Sequence, residues 1–551
     1  MKEIIKCTIV LTLWLMAGTS CSDDYFNRGS QVKFDDGNFW TSEGNVKTFC
    51  WEFYNRFVGY STGTDGDFYF TTFTDDQASS GMNLFATTAP SSSTYWTFAY
   101  IRKANLLLDR VDQVPMSDDA KNHYRGIARF FRAFEYANLV KRYGDVPWID
   151  KYLDQSETDD IYKPRTSRDV VVDNILADLD FAAANIRTKS VAEALSDKNT
   201  VNRNVVNALI ARVALYEASI CKYQSNNSSR ATTLFTKAKN ASQLILDQGY
   251  TLSPNYKDVY SSLDLAANKE VILYKNYVTA IMTHSVVGYT NSSTMISGLT
   301  KDIIDAYLCK DGLPISLSSQ YQGDADIAKT LANRDDRLLK TVDNVLCYTG
   351  TPNTKGFTST TGYKITKFDN AAMAASEVLA PNNTTDAPLF WLAETMLNYA
   401  EAAVELGTAS QADMDKTVNM LRFRGGVAPL TISSVPNDPK RESDVSALLW
   451  EVRRERRIEL VMDGFRQWDL RRWKKLTYLD PIIKPDIFKG AKIVPKPSGG
   501  PKVDANNYIA PYGTTLRVVD QLTRNYLDPI PTGQLTLYQI KNITFPQNAG
   551  W

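Results

Sequence analysis

Apolar residues recur every three or four positions over eight stretches of this chain: 95–111, 118–142, 168–186, 203–220, 230–248, 389–406, 411–423 and 445–475. A chain patterned this way must bury one stripe of each helix against another element. In NALIARVALYEAS, residues 207–219, the alanines at 208, 211, 214 and 218 fall three or four apart. Such a seam of methyl groups lets a neighbouring helix approach closely, so helix pairs are the expected packing unit. Thr166 followed by Asp169 predicts a capping box, and Gly144, Gly249 and Gly407 close apolar runs with the residue that accepts a left-handed cap. Paired helices suggest a degenerate solenoid, although no tetratricopeptide consensus recurs at its period of about 34 residues.

Between the helices lie long polar and aromatic insertions at 59–93, 274–300, 347–388 and 477–515. Loops of this length usually bind something. With 551 residues, 43% of them apolar and 11% aromatic, a large core is assured, in one body or two lobes.

The segment EVRRERRIELVMDGFRQWDLRRWKKL, residues 451–476, sets nine basic residues against five acidic ones. Clustered arginines with interleaved tryptophans raise the possibility of a nucleic-acid patch. The whole chain, however, balances 62 basic with 62 acidic residues, leaving no global field for a polyanion. Glu451, Glu455, Glu459 and Asp463 recur every four residues, which predicts a helical lattice of local ion pairs and no nucleic-acid partner.

The chain opens with Lys2 and Lys6, an apolar run from Cys7 to Ala17, and the small residues Gly18, Thr19 and Ser20 ahead of Cys21. Residues 1–20 read as a secretory signal, too short to be a stable membrane-spanning helix. Cys21 stands where the acylated cysteine of a bacterial lipoprotein stands, with Gly18 in the place of the usual aliphatic residue; Asp23 and Asp24 follow in the manner of a surface-export signal. Cys50, Cys221, Cys309 and Cys347 are widely spaced without a CxxC pair and read as buried free thiols.

Catalytic constellations are incomplete. GYSTG at 59–63 matches a nucleophile elbow around Ser61, but TDGDFYF is no helix start, and His123 and His284 are the only histidines. No HExxH, CxxC or phosphate-loop motif occurs, so no metal site or cofactor is expected. Asp65, Asp67, Asp75 and Asp76 could offer calcium hard oxygen ligands or supply a glycosidase pair, without the spacing that would establish either. The aromatic residues Phe68, Tyr69, Phe70, Phe73, Tyr95, Trp96, Tyr274, Tyr277 and Tyr289 occupy or border the loops, and sugar faces stack on such rings. Trp96 also aligns with Tyr100 and Leu107, which favours packing.

Several blocks together resemble the SusD/RagB family of outer-membrane nutrient-binding lipoproteins: ARFFRAFEYANLVKRYGDVPWID (128–150), VNRNVVNALIARVALYEA (201–218), KDGLPI (310–315), NRDDRL (333–338), LAETMLNYAEAAVELG (392–407), LRFRGG (421–426), RRERRIELVMDGFRQWDLRRW (453–473) and YLDPIPTGQL (526–535). Phe390 and Trp391 stand where an arginine is usual, Asp463 where glutamate is common and Gly426 where alanine is typical. The resemblance implies an all-α fold of tetratricopeptide-like helix pairs with long irregular loops and minor β structure. It also implies a SusC-like TonB-dependent outer-membrane barrel as partner.

The expected organisation is a signal at 1–20 and one body over 21–551, helical-repeat-rich to 250 and loop-rich from 251. The expected function is non-catalytic: a surface-exposed, outer-membrane, lipid-anchored protein that captures an oligosaccharide, or a peptide as second ligand class. A surface glycoside hydrolase or lyase and a helical scaffold are the alternatives. Asp76, Trp96 and Tyr277 are the expected ligand contacts. Arg132, Asp145, Glu455, Arg456, Glu459, Arg466, Asp469 and Arg472 are expected in structural ion pairs, with Trp468 and Trp473 packed beneath the C-terminal helix.

Overall fold

A computed structural model describes residues 39–62, 74–79, 88–154, 156, 158–290, 297–352, 356–511 and 524–551. The signal segment, Cys21, Asp65, Asp67, Phe68, Tyr69, Phe70 and Phe73 lie outside them.

Helices dominate the N-terminal half: α1 (Glu43–Trp51), α2 (Ala99–Arg110), α3 (Asp118–Tyr143), α4 (Arg168–Asn185), α5 (Arg203–Tyr223) and α6 (Ser228–Leu246). Their ends follow local chemistry. The Ser117 hydroxyl accepts from the Ala120 amide at the start of α3, and Gly144 closes it with φ +72°. Gly249 and Gly407 likewise adopt positive φ, as expected of left-handed caps. α3 packs on α2 and α4, and α5 on α4 and α6. Ala208, Ala211, Ala214 and Ala218 are all buried, which lets these neighbours close on α5.

Four sequence expectations fail at helix ends. Trp96 precedes α2, whose first residue is Ala99. Residues 389–391 belong to strand β6 (Ala387–Trp391), with α7 (Leu392–Glu405) following it. The 411–423 stretch breaks into two short helices, ending with α8 (Val418–Arg424). The 445–475 stretch breaks into α9 (Ala447–Glu459) and α10 (Arg466–Arg472), separated by a turn in which Met462 and Gly464 adopt positive φ. The predicted capping box also gives way: Thr166 pairs with Val146 in a β-bridge, while Asp145 Oδ1 accepts from the Arg168 amide and caps α4 in its place.

Three two-stranded antiparallel sheets complete the described fold: β1 (Gln77–Ser79) with β3 (Ser297–Leu299), β2 (Val271–Lys275) with β6, and β4 (Val342–Leu346) with β5 (Tyr363–Ile365). The β2–β6 ribbon decides how the two halves meet. Its irregular register directs Ile272, Leu273, Leu389 and Phe390 into the core of the helical half. Val271, Ala387 and Trp391 enter a second core built around Tyr256, Tyr260, Tyr307 and Ile458. A regular strand would alternate its side chains between faces; the bulges rearrange them to feed both cores.

Close backbone approach pins the loop-rich half at Gly490. A Cβ there would lie 2.1 Å from the Thr361 carbonyl oxygen and 2.6 Å from its Cα. Main chain cannot rotate away as a side chain can, so Gly490→Ala is expected to cost about 1–3 kcal/mol, read as a lowered denaturation midpoint.

Candidate functional site

The arginine-rich segment builds inward, and its expected local lattice is only a minor part of the result. Arg454–Glu451 and Arg472–Asp469 are i,i+3 pairs, but most partners come from distant chain. Arg337 binds Asp335, Glu455 and Glu459; Arg422 binds Glu451 and Glu455; Arg424 binds Glu270 and Glu459; Arg454 also reaches Asp438. The periodic acids of α9 therefore serve Arg337 and the α8 arginines Arg422 and Arg424 more than those of their own helix. Asp463 binds Lys367, and burial pushes its carboxyl up to about 7 against that lysine's attraction.

Arg456 Nε donates to Asp469 at 2.8 Å and Nη1 to Asn398, while Arg472 grips Glu401 with two nitrogens at 2.6 Å. Burial opposes ionisation of Glu401, yet Arg472 holds it down at about 2. Arg466 forks onto Asp75 with two bonds of 2.7 Å, and Arg457 binds Asp76 and Asp302. These contacts lock the short segment before β1 onto α9 and α10.

The remaining residues selected from sequence take varied positions. Arg132 forks onto Asp178 at 2.7 and 2.8 Å and also donates to Asn105. Asp145, expected in an ion pair, instead serves as the cap of α4 described above, its carboxylate accepting from the Arg168 amide at 2.8 Å. Asp76 is 3% exposed and its carboxylate is taken by Arg457. Trp96 is half-buried, edge-on to Tyr143, Phe98 and Phe545. Tyr277 is 4% exposed, donates its hydroxyl to the Tyr60 carbonyl and meets the His284 ring edge-on. His284 Nε2 contacts the Thr385 carbonyl and Nδ1 accepts from the Val286 amide. Both ring nitrogens are thus committed away from Ser61. Cys50, Cys221, Cys309 and Cys347 are buried free thiols.

A cleft of about 340 Å³ opens where α3, α5, β6, the turn before α10 and the start of α10 converge. That is the size and position typical of small-molecule sites. Tyr95 and Trp468 supply aromatic surface, Phe390 lies buried in the wall beneath Arg212, and Asn138, Tyr216 and Gln467 supply polar groups. The Arg142 guanidinium sits 3.5 Å over Tyr95 and 5.2 Å from the Trp468 ring, and pairs with Asp528. Trp473, expected beneath the helix, is buried with its indole N–H on Glu401. Trp468, expected beside it, instead faces this half-open cleft. Periodicity could not have found the cleft, because its walls come from segments far apart in sequence. Only the aromatic content around Tyr95 hinted at it.

Fold and cleft together define a scaffold of paired helices with a loop-rich second half and a solute-sized cleft at the junction. A model of the SusD family matches residues 263–551, and one described as starch-binding associating with outer membrane matches residues 29–215. SusD-like protein P2 of Formosa agariphila is 25% identical over 442 residues, spanning 74% of this chain and 80% of that protein. SusD-like protein P38 of the same organism is 24% identical over 411 residues, or 71% and 75%. Among solved structures, a SusD-like carbohydrate binding protein from Bacteroides fragilis superposes with a TM-score of 0.71 at 20% identity, covering 91% of this chain and 99% of its own. Surface glycan-binding protein A from Bacteroides fluxus gives 0.60 at 16%, covering 93% and 100%. The chain belongs to the SusD family.

Proposed function

We propose that this protein is a surface-exposed, lipid-anchored glycan-capture protein that binds an oligosaccharide without cleaving it and passes it to a SusC-like TonB-dependent barrel. The observation that carries this reading is an aromatic-walled cleft on a SusD-family scaffold. Support comes from its likeness to a SusD-like carbohydrate binding protein and a surface glycan-binding protein, and from a family model described as associating with the outer membrane. Cys21 would carry the lipid, with residues 1–20 removed.

In this reading Trp468 provides a stacking face at the cleft. Trp468→Ala is expected to weaken glycan association about fivefold to tenfold, the worth of about 1 kcal/mol or more from a stacking face. The test titrates the full chain in detergent with glycan and peptide panels by calorimetry, and analyses the same samples for products. Saturable binding with intact glycan supports capture. Release of shorter products would move the protein to the hydrolase or lyase class, and binding of peptides alone would replace the ligand class. Co-purification of the barrel from membranes tests the delivery step.

A further inference from the structure

We infer that the cleft selects an uncharged sugar over an acidic one, an inference that rests on reading this cleft as the capture site. The argument concerns which polar groups remain for a ligand. Every guanidinium lining the cleft already faces a carboxylate: Arg56 on Glu135 at 2.6 Å, Arg142 on Asp528 at 3.1 Å, Arg212 on Glu394 at 2.7 Å, Arg456 on Asp469 at 2.8 Å and Arg472 on Glu401 at 2.6 Å. Lys141 lies 4.3 Å from the Trp468 ring and has further interactions of its own. An anionic sugar could recruit these cations only by displacing their carboxylates; the side chains of Glu135, Glu394, Asp469 and Glu401 are 6% exposed or less, that of Asp528 is 25% exposed, and leaving a buried carboxylate unpaired is costly.

The Asn138 amide, the Gln467 amide and the Tyr216 hydroxyl line the same cleft without a hydrogen bond to protein among the described residues. All three are neutral, and the amides both donate and accept, which matches the two-way hydrogen bonding of sugar hydroxyls. Tyr216 is held in its neutral form, with burial pushing its hydroxyl up to about 12. Aromatic faces beside neutral amides, with the charges internally cancelled, make a site for an uncharged pyranose.

The test compares the full chain in detergent with neutral gluco-, galacto- and manno-oligosaccharides and with oligogalacturonates and sulfated oligosaccharides of equal length. The expected result is binding of a neutral oligosaccharide whose affinity is unchanged between about 0.05 and 0.5 M salt, since no net charge is there to be screened. Asn138→Ala and Gln467→Ala should each weaken it threefold to tenfold, the fold-change of one hydrogen bond of about 1 kcal/mol. Neither amide is bonded within the described structure, so both variants should keep the parent's denaturation midpoint. Tighter binding of an acidic glycan, lost on these substitutions, would overturn the selectivity while leaving the capture reading intact. Glycan binding of either class unaffected by both variants and by Trp468→Ala, or no glycan binding at all, would overturn the cleft as the capture site and the inference with it.

Discussion

Arg337→Met is expected to destabilise the protein by about 3–5 kcal/mol, the cost of breaking a buried ion pair from one side. Arg337 is 1% exposed and its guanidinium serves Asp335, Glu455 and Glu459, each carboxylate side chain at 0% exposure. Removing it leaves Asp335 without a cation and takes one of two from Glu455 and Glu459, which keep Arg422 and Arg424, where water cannot reach them. Burial alone would disfavour the guanidinium charge, and the Asp335 and Glu455 carboxylates overcome that to hold its pKa well above the usual arginine range. The contrasting control is Lys237→Ala. That lysine meets Asp180 at 2.7 Å with side chains 29% and 56% exposed, so the change should cost under about 1 kcal/mol. Denaturant unfolding of both variants measures the contrast. A cost for Arg337→Met no larger than for Lys237→Ala would mean that these buried ion pairs do not stabilise the loop-rich half.

The second large effect is a dependence on pH centred on Glu270. The spine Glu270–Arg424–Glu459–Arg337–Glu455–Arg422–Glu451–Arg454–Asp438, with Asp335 on Arg337, sets six carboxylates against four guanidiniums. Two carboxylates are in excess. Glu270 Oε1 and Glu455 Oε2 are the buried spine oxygens without a hydrogen bond among the described residues. Burial raises both groups, outweighing Arg424 at Glu270 and Arg337 at Glu455, and Glu270 reaches about 7.

A folded carboxyl raised in this way keeps its proton after the unfolded chain has released its own near pH 4.5. Stability from Glu270 is therefore fully present below about pH 4.5, falls as pH rises towards about 7, and levels off above it. The span corresponds to a loss on the order of 3 kcal/mol. His123 and His284, held neutral by burial at about 4 and about 3, act in the opposite sense below the usual histidine range. The difference between Glu270→Gln and the parent isolates the glutamate. That variant should flatten the stability curve between pH 5 and 7 and equal or exceed the parent at pH 8. Glu459→Gln, which removes a carboxylate shared by Arg337 and Arg424, should destabilise throughout. Equal losses for the two variants at pH 8 would show that burial does not disfavour the Glu270 carboxylate in the folded protein.

Much of the helical half was legible in the chain because its determinants are local. The stripes of α3, α4, α5 and α6, the Ser117 cap and the glycines at 144, 249 and 407 act within a few residues of themselves, so periodicity and capping chemistry place them without knowledge of the fold. Family-like blocks extended this to the all-α architecture. The split of 445–475 was not legible, because its pattern is apolar and helical throughout. What breaks it is a turn at 460–465 that carries Asp463 to Lys367, a residue on a distant segment.

The cleft and the charge spine share that origin. A sequence shows that Glu451, Glu455 and Glu459 share a helical face, but any arginine three or four residues away is as good a local partner as Arg337 or Arg422. Desolvation in the folded core decides among them, since a buried carboxylate needs a guanidinium from whatever segment the packing brings alongside. By the same reasoning Trp468 reads from sequence as one more core aromatic. It becomes a wall of the cleft only because α10 turns it towards Tyr95 and Arg142. By itself the sequence determined the helices, the family and the presence of a dense ionic segment. The tertiary structure alone decided which charges pair and which polar groups are left facing open space, because both depend on burial and long-range proximity.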